Sequence, residues 1–157
     1  VTPARYPDRA PVSVDRVIQV DLLAAHAGID DGCDAPDVKG TARLRVDSNE
    51  AGQSFGPTDD LATLTIGKSL SLPAAVGVRL ASLHIDLTEH DALFCGADDE
   101  LDINPDPGST NAAIDLDLTW DGGIQLNGEG LGWYGQETKL VAGPNWFTFK
   151  VTVAAAP

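Results

Sequence analysis

The chain has 157 residues, 43% of them hydrophobic, which is enough to bury one core without a metal to hold it together. Its 24 acidic residues against 10 basic ones give a formal charge of −14, which disfavours direct contact with nucleic acid or anionic lipid unless cations intervene. No apolar run is long enough for a transmembrane helix.

Residues 1–11, with Pro3, Pro7 and Pro11, read as an extended lead-in, and residues 12–157 as one domain. The start at Val1-Thr2-Pro3, without methionine or apolar leader, is what a mature protein or an excised domain presents. From Val12 to Ala24 the apolar residues Val14, Ile18, Val20 and Leu22 fall on one parity, interrupted by Arg16, which predicts a half-buried strand. Leu44 and Val46 predict a second strand and Leu61 to Ile66 a third, while a short segment at Leu70 to Leu72 is expected to stop at Pro73. The clearest alternation runs from Val78 to Leu87, with Ala81, Leu83, Ile85 and Leu87 facing one way and Ser82, His84 and Asp86 the other.

Ile114, Leu116, Leu118 and Trp120 repeat that pattern, as do Phe147, Phe149, Val151 and Val153. Asp121-Gly122-Gly123 and Asn127-Gly128 are turn signals that bracket a small strand with Ile124 and Leu126. Short strands separated by Gly, Pro, Asp and Asn, with almost nothing of helical period, predict an all-β sandwich.

Two stretches between strands concentrate carboxylates, and each holds one of the two cysteines. The first contains Asp30, Asp31, Cys33, Asp34 and Asp37; the second contains Glu89, Asp91, Cys95, Asp98 and Asp99. Two cysteines suit an exported, secreted or cell-surface protein with one bridge; two buried free thiols in a cytosolic protein are the alternative. Carboxylates in this number fit calcium, which takes six to eight oxygen ligands in flexible geometry, whereas aspartates that merely cap turns and stay solvated are the plainer reading.

With these loops, the chain resembles C2-type calcium-binding β-sandwiches. Asp31 and Asp37 match the early aspartate pair of that family, and Glu89 and Asp91, followed by Asp98 and Asp99, match the later loop, with Glu89 where an aspartate is usual. The run Ala35-Pro36-Asp37-Val38 departs from the family's early-loop pattern. The resemblance, which spans roughly residues 12–104, implies a single eight-stranded antiparallel C2-like sandwich. It also implies calcium held by Asp30, Asp31, Asp37, Glu89, Asp91, Asp98 and Asp99, and a Cys33–Cys95 disulfide between neighbouring loops.

Other chemistry is less well supported. Asp102-Ile103-Asn104-Pro105-Asp106 opens like an EF-hand loop, but Pro107 and Ala113 stand where glycine and glutamate are required, so a proline-stiffened turn is expected. His26, His84 and His90 share no zinc-ligand spacing, and neither a nucleophile elbow nor a phosphate-binding glycine loop is present. A noncatalytic module is therefore expected, with calcium bridging it to a glycan or an anionic ligand. The alternative is a carbohydrate-binding sandwich using Trp133 or Tyr134, which point oppositely if their segment is extended, with calcium only structural.

Overall fold

Alternating apolar and polar residues give each strand one face to bury, and the computed structural model satisfies those faces by packing two antiparallel sheets. It describes residues 12–28, 37–58, 61–89, 99–106, 110–119 and 122–157. The strands among them are β1 (Arg16–His26), β2 (Val38–Val46), β3 (Asn49–Phe55), β4 (Thr63–Ala74), β5 (Leu80–Glu89) and β6 (Asp99–Leu101), followed by β7 (Ala112–Asp117), β8 (Ile124–Leu126), β9 (Glu129–Gly132), β10 (Glu137–Ala142) and β11 (Asn145–Ala155).

One sheet runs β10-β11-β1-β4; the other runs β3-β2-β5-β7-β8-β9, with β6 also paired to β5. Ile18, Val20 and Leu22 of β1, Leu83, Ile85 and Leu87 of β5 and Phe147, Phe149 and Val151 of β11 fill the space between them. Phe147 links the layers, its ring centroid 5.9 Å from Phe55 in one sheet and 6.1 Å from Phe149 in the other.

Four expectations are corrected. The described residues form eleven strands rather than eight, because β3, β6, β9 and β10 carry too little apolar alternation to stand out in sequence. The parity of β1 changes at a bulge between Leu22 and Ala24, so Ala25 rather than Ala24 is buried. The segments around Leu61–Ile66 and Leu70–Leu72 are one strand, β4, which pairs with β1 across the same irregularity and runs through Pro73. An edge strand tolerates a residue without an N–H.

The fold is also not described with the expected disulfide. No bridge is found among the described residues, and Cys33 and Cys95 lie outside them. Strand pairing joins the described chain ends that flank the two acidic stretches. Val38, which opens β2, is the rung partner of Glu89 at the end of β5, and Glu89 is in turn the partner of Asp99, which opens β6.

The sheet edges β3 and β4 lie against each other and are stitched by side chains. Gln53 Nε2 donates to the Ser69 carbonyl (3.1 Å) and Lys68 Nζ to the Ser54 carbonyl (2.6 Å).

Candidate functional site

The exit of β1, the entry to β2, the exit of β5 and the entry to β6 all lie at one end of the sandwich, and hydrogen bonds fix these chain ends. Gly28 N donates to Asn145 Oδ1 (2.9 Å), and Asn145 Nδ2 donates to the Asp102 carbonyl (2.9 Å). Asn145 is 1% exposed, so its amide ties β1, the β6–β7 connection and the β10–β11 turn from within. A Cβ at Gly28 would stand 2.2 Å from Pro144 Cβ, which is why the chain passes this turn as glycine. Val38 N donates to Thr58 Oγ1 (2.7 Å) and Thr58 N to the Val38 carbonyl (3.1 Å), pinning the start of β2. Sequence reasoning missed Asn145 and Thr58, since a polar residue beside a turn carries no sign of the distant strand end it will hold.

Of the predicted ligands, Glu89 is 2% exposed, on the same parity as Leu83, Ile85 and Leu87, so its side chain turns into the space between the sheets. Asp37 is half-buried immediately before β2, and Asp99 is the backbone rung partner of Glu89. Asp30, Asp31, Asp91 and Asp98 lie outside the described residues. Among the described residues, no group of three His, Cys, Asp or Glu side chains gathers as a metal site, so the fold does not by itself present the expected cation centre. The carboxylate-bearing residues described at this end, Asp37, Glu89 and Asp99, are of a type that suits a hard cation.

The stretch that opens like an EF-hand loop is a pair of successive Asx turns. Asn104 N donates to Asp102 Oδ1 (2.9 Å) and Asp106 N to Asn104 Oδ1 (3.0 Å). Asn104 Nδ2 donates to the Asn111 carbonyl (3.0 Å), and Asn127 Nδ2 donates to Asp106 Oδ2.

The histidines do not converge. His26, on the outer face of the four-stranded sheet, stacks on Trp146 (centroids 5.4 Å apart, interplanar angle 12°) and contacts Thr63 Oγ1 through Nδ1 at 2.7 Å. Lys139 Nζ stands 4.8 Å from the centroid of the Trp146 ring. His84 is on the outer face of the other sheet, with Nε2 3.1 Å from Asp86 Oδ2. His90 lies outside the described residues, as do Trp120 and Asp121.

The two aromatic candidates have opposite fates. Tyr134 is 1% exposed, with its hydroxyl donating to the Asp117 carbonyl at 2.6 Å, so it is a core residue and not a surface contact. Trp133 is half-buried and borders an open cleft of 430 Å³ together with Gly123, Ile124, Gln125, Leu131 and two further glycines. A Cβ at Gly123 would come within 2.8 Å of the indole, so the ring rests directly on backbone.

No family model matches the sequence, and no curated protein aligns with it. Solved structures match its fold. Human GIVD cytosolic phospholipase A2, in complex with methyl gamma-linolenyl fluorophosphonate, aligns at 10% identity with a TM-score of 0.56, over 92% of this chain and 18% of that one. A C2 domain of plant Extended Synaptotagmin 1 aligns at 8% identity with a TM-score of 0.52, over 95% of this chain and 99% of that one. The chain thus spans under a fifth of the phospholipase and nearly the whole of the isolated synaptotagmin domain. Such identities establish architecture alone, and the architecture is a C2-like all-β sandwich.

Proposed function

We propose that this chain is a noncatalytic module of an exported protein that takes up calcium at its acidic end and uses the bound cation to engage an anionic group. The reading is supported by the rung order Val38, Glu89, Asp99, which makes neighbours of the described residues that flank the two acidic stretches. Asp30, Asp31, Asp37, Glu89, Asp91, Asp98 and Asp99 are the ligands the proposal names. A divalent cation there would relieve self-repulsion in a chain of charge −14 and reverse the local field toward a phosphate or carboxylate.

Calcium titration by calorimetry tests it, with Asp31→Asn and Asp91→Asn variants beside the parent chain. The expected dissociation constant is on the order of 10⁻⁴ to 10⁻³ M, the range of extracellular modules, and each substitution weakens it by about tenfold. The melting temperature rises with calcium by mass action. A transition that stays put through millimolar calcium, or binding indifferent to both substitutions, refutes the proposal.

A second reading rests on the cleft beside Trp133, whose glycine-lined walls leave room for a flat ligand against the indole. Glycan binding that survives chelation and disappears in Trp133→Ala would favour that reading, with calcium then structural.

A further inference from the structure

The hairpin between β8 and β9 turns on Asn127-Gly128, and its tip is held to the β6–β7 connection. Both turn residues are exposed with positive φ, 54° and 81°, and a Cβ built on Gly128 would meet nothing within 4 Å. Asn127 Nδ2 donates to Asp106 Oδ2, and Asp106 is itself exposed.

An asparagine carboxamide is open to attack by the backbone nitrogen of the next residue, which closes a five-membered imide. The attack needs an N–H, room beside it and a side chain free to turn. Of the five asparagines, Asn104 precedes proline and so meets no N–H. Asn145 is 1% exposed, with both ends of its amide engaged. Asn49 and Asn111 are followed by Glu50 and Ala112, whose Cβ atoms crowd the nitrogen. Asn127 alone is followed by glycine.

We infer that Asn127 is a site of self-modification to aspartate or isoaspartate, and that Asp106 restrains the conversion by holding the carboxamide. Gly128 N attacks Asn127 Cγ, the Cγ–Nδ2 bond breaks, and ammonia leaves with the proton that Gly128 N gives up. Water then opens the imide, at Cγ to give aspartate or at the main-chain carbonyl carbon of residue 127 to give isoaspartate. To bring Cγ onto Gly128 N the side chain must rotate, and rotation breaks its bond to Asp106.

Either product replaces a donor to Asp106 with a second carboxylate, so an attraction becomes a like-charge contact. Isoaspartate also lengthens the main chain of a two-residue turn, which upsets the pairing of Leu126 with Glu129 and of Gln125 with Gly130. Because β9 supplies Gly130, Leu131 and Gly132 to the cleft beside Trp133, the modification reaches that cleft. It uses none of the residues assigned to calcium.

The whole chain, held at physiological temperature in mildly alkaline buffer, is sampled by peptide mapping for the mass gained when an amide becomes an acid. That gain separates the reaction from isomerisation at Asp31-Gly32 or Asp121-Gly122, which adds none. Asn127 should convert before any other asparagine. Asp106→Ala should quicken it by about fivefold, the factor that corresponds to losing one hydrogen bond of ordinary net strength. Asn127→Gln, which keeps the amide but cannot close the five-membered ring, should remain unconverted at position 127. Asn127→Asp should melt about 2 °C below the parent, and Asp106→Asn added to it should restore the parent value, since donor and acceptor then exchange sides. Prior conversion of another asparagine, a rate unchanged in Asp106→Ala, or an Asn127→Asp melt equal to the parent's overturns the inference.

Discussion

Replacing Tyr134 by phenylalanine removes one oxygen and leaves the ring where it is, so its effect isolates a buried hydrogen bond. The hydroxyl donates to the Asp117 carbonyl at 2.6 Å, with the Gly123 carbonyl at the limit of reach (3.5 Å), and Asp117 N donates to that same Gly123 carbonyl (3.0 Å). The phenol therefore joins the two ends of the connection between β7 and β8. Loss of a donor to a buried acceptor costs about 1–2 kcal/mol, whereas a mutation confined to the surface typically stays within about 0.5 kcal/mol. For a chain of this size each kcal/mol lowers the melting temperature by about 2–4 °C, so Tyr134→Phe should melt about 2–8 °C lower. Urea unfolding followed by tryptophan fluorescence should show a lower midpoint with an unchanged slope, since the surface exposed on unfolding is nearly the same in variant and parent. A melting temperature within about 1 °C of the parent would mean that the phenol oxygen is solvated, and would return Tyr134 to the surface.

Two glycines should respond oppositely to alanine. A Cβ at Gly122 would stand 2.1 Å from Asp117 Cγ, so Gly122→Ala should destabilise by several kcal/mol, to about 3 or more, whereas Gly130→Ala meets nothing within 4 Å and should be neutral or stabilising by about 0.5 kcal/mol. Paired thermal melts check this, and equal shifts would refute it. Glu50 accepts from Arg45 Nη2 at 2.6 Å, and that hydrogen bond holds its pKa below the ordinary carboxylate value. Because the folded-state value is the lower one, the pair's contribution is complete above the unfolded pKa and is lost as pH falls through the depressed one. Carbon-detected NMR titration should place Glu50 below the ordinary range and return it there in Arg45→Ala; identical titration curves would count against the ion pair.

Strands with apolar residues strictly alternating, such as Leu83-His84-Ile85-Asp86-Leu87, could be read from the sequence because period two survives in the structure unchanged. So could the β8–β9 hairpin, whose Asn127 and Gly128 take positive φ values of 54° and 81° as such a two-residue turn demands. β3, with the sequence Asn49-Glu50-Ala51-Gly52-Gln53-Ser54-Phe55, could not be read, because it is an edge strand stabilised by its neighbours and not by its own residues. Arg16 was legible only as an interruption of a pattern. Its burial depends on the carbonyls of Ala75 and Val78, more than fifty positions away. At the acidic end the residue types were plain from sequence, but their adjacency depends on the β2–β5–β6 ladder, which no local spacing encodes.

The side-chain bonds from Gln53 and Lys68 bear on how this domain lives beside copies of itself. The carbonyls of Ser69 and Ser54 belong to strands at the margins of their sheets, where a free oxygen invites a foreign strand to add on. Here each already accepts a hydrogen bond from across the seam. Two molecules meeting along this margin would have to break those bonds before forming any of their own, and would do so against mutual repulsion of charge −14 on each. Crowding, or tethering of several such domains in tandem, is thereby made compatible with their remaining separate along this seam.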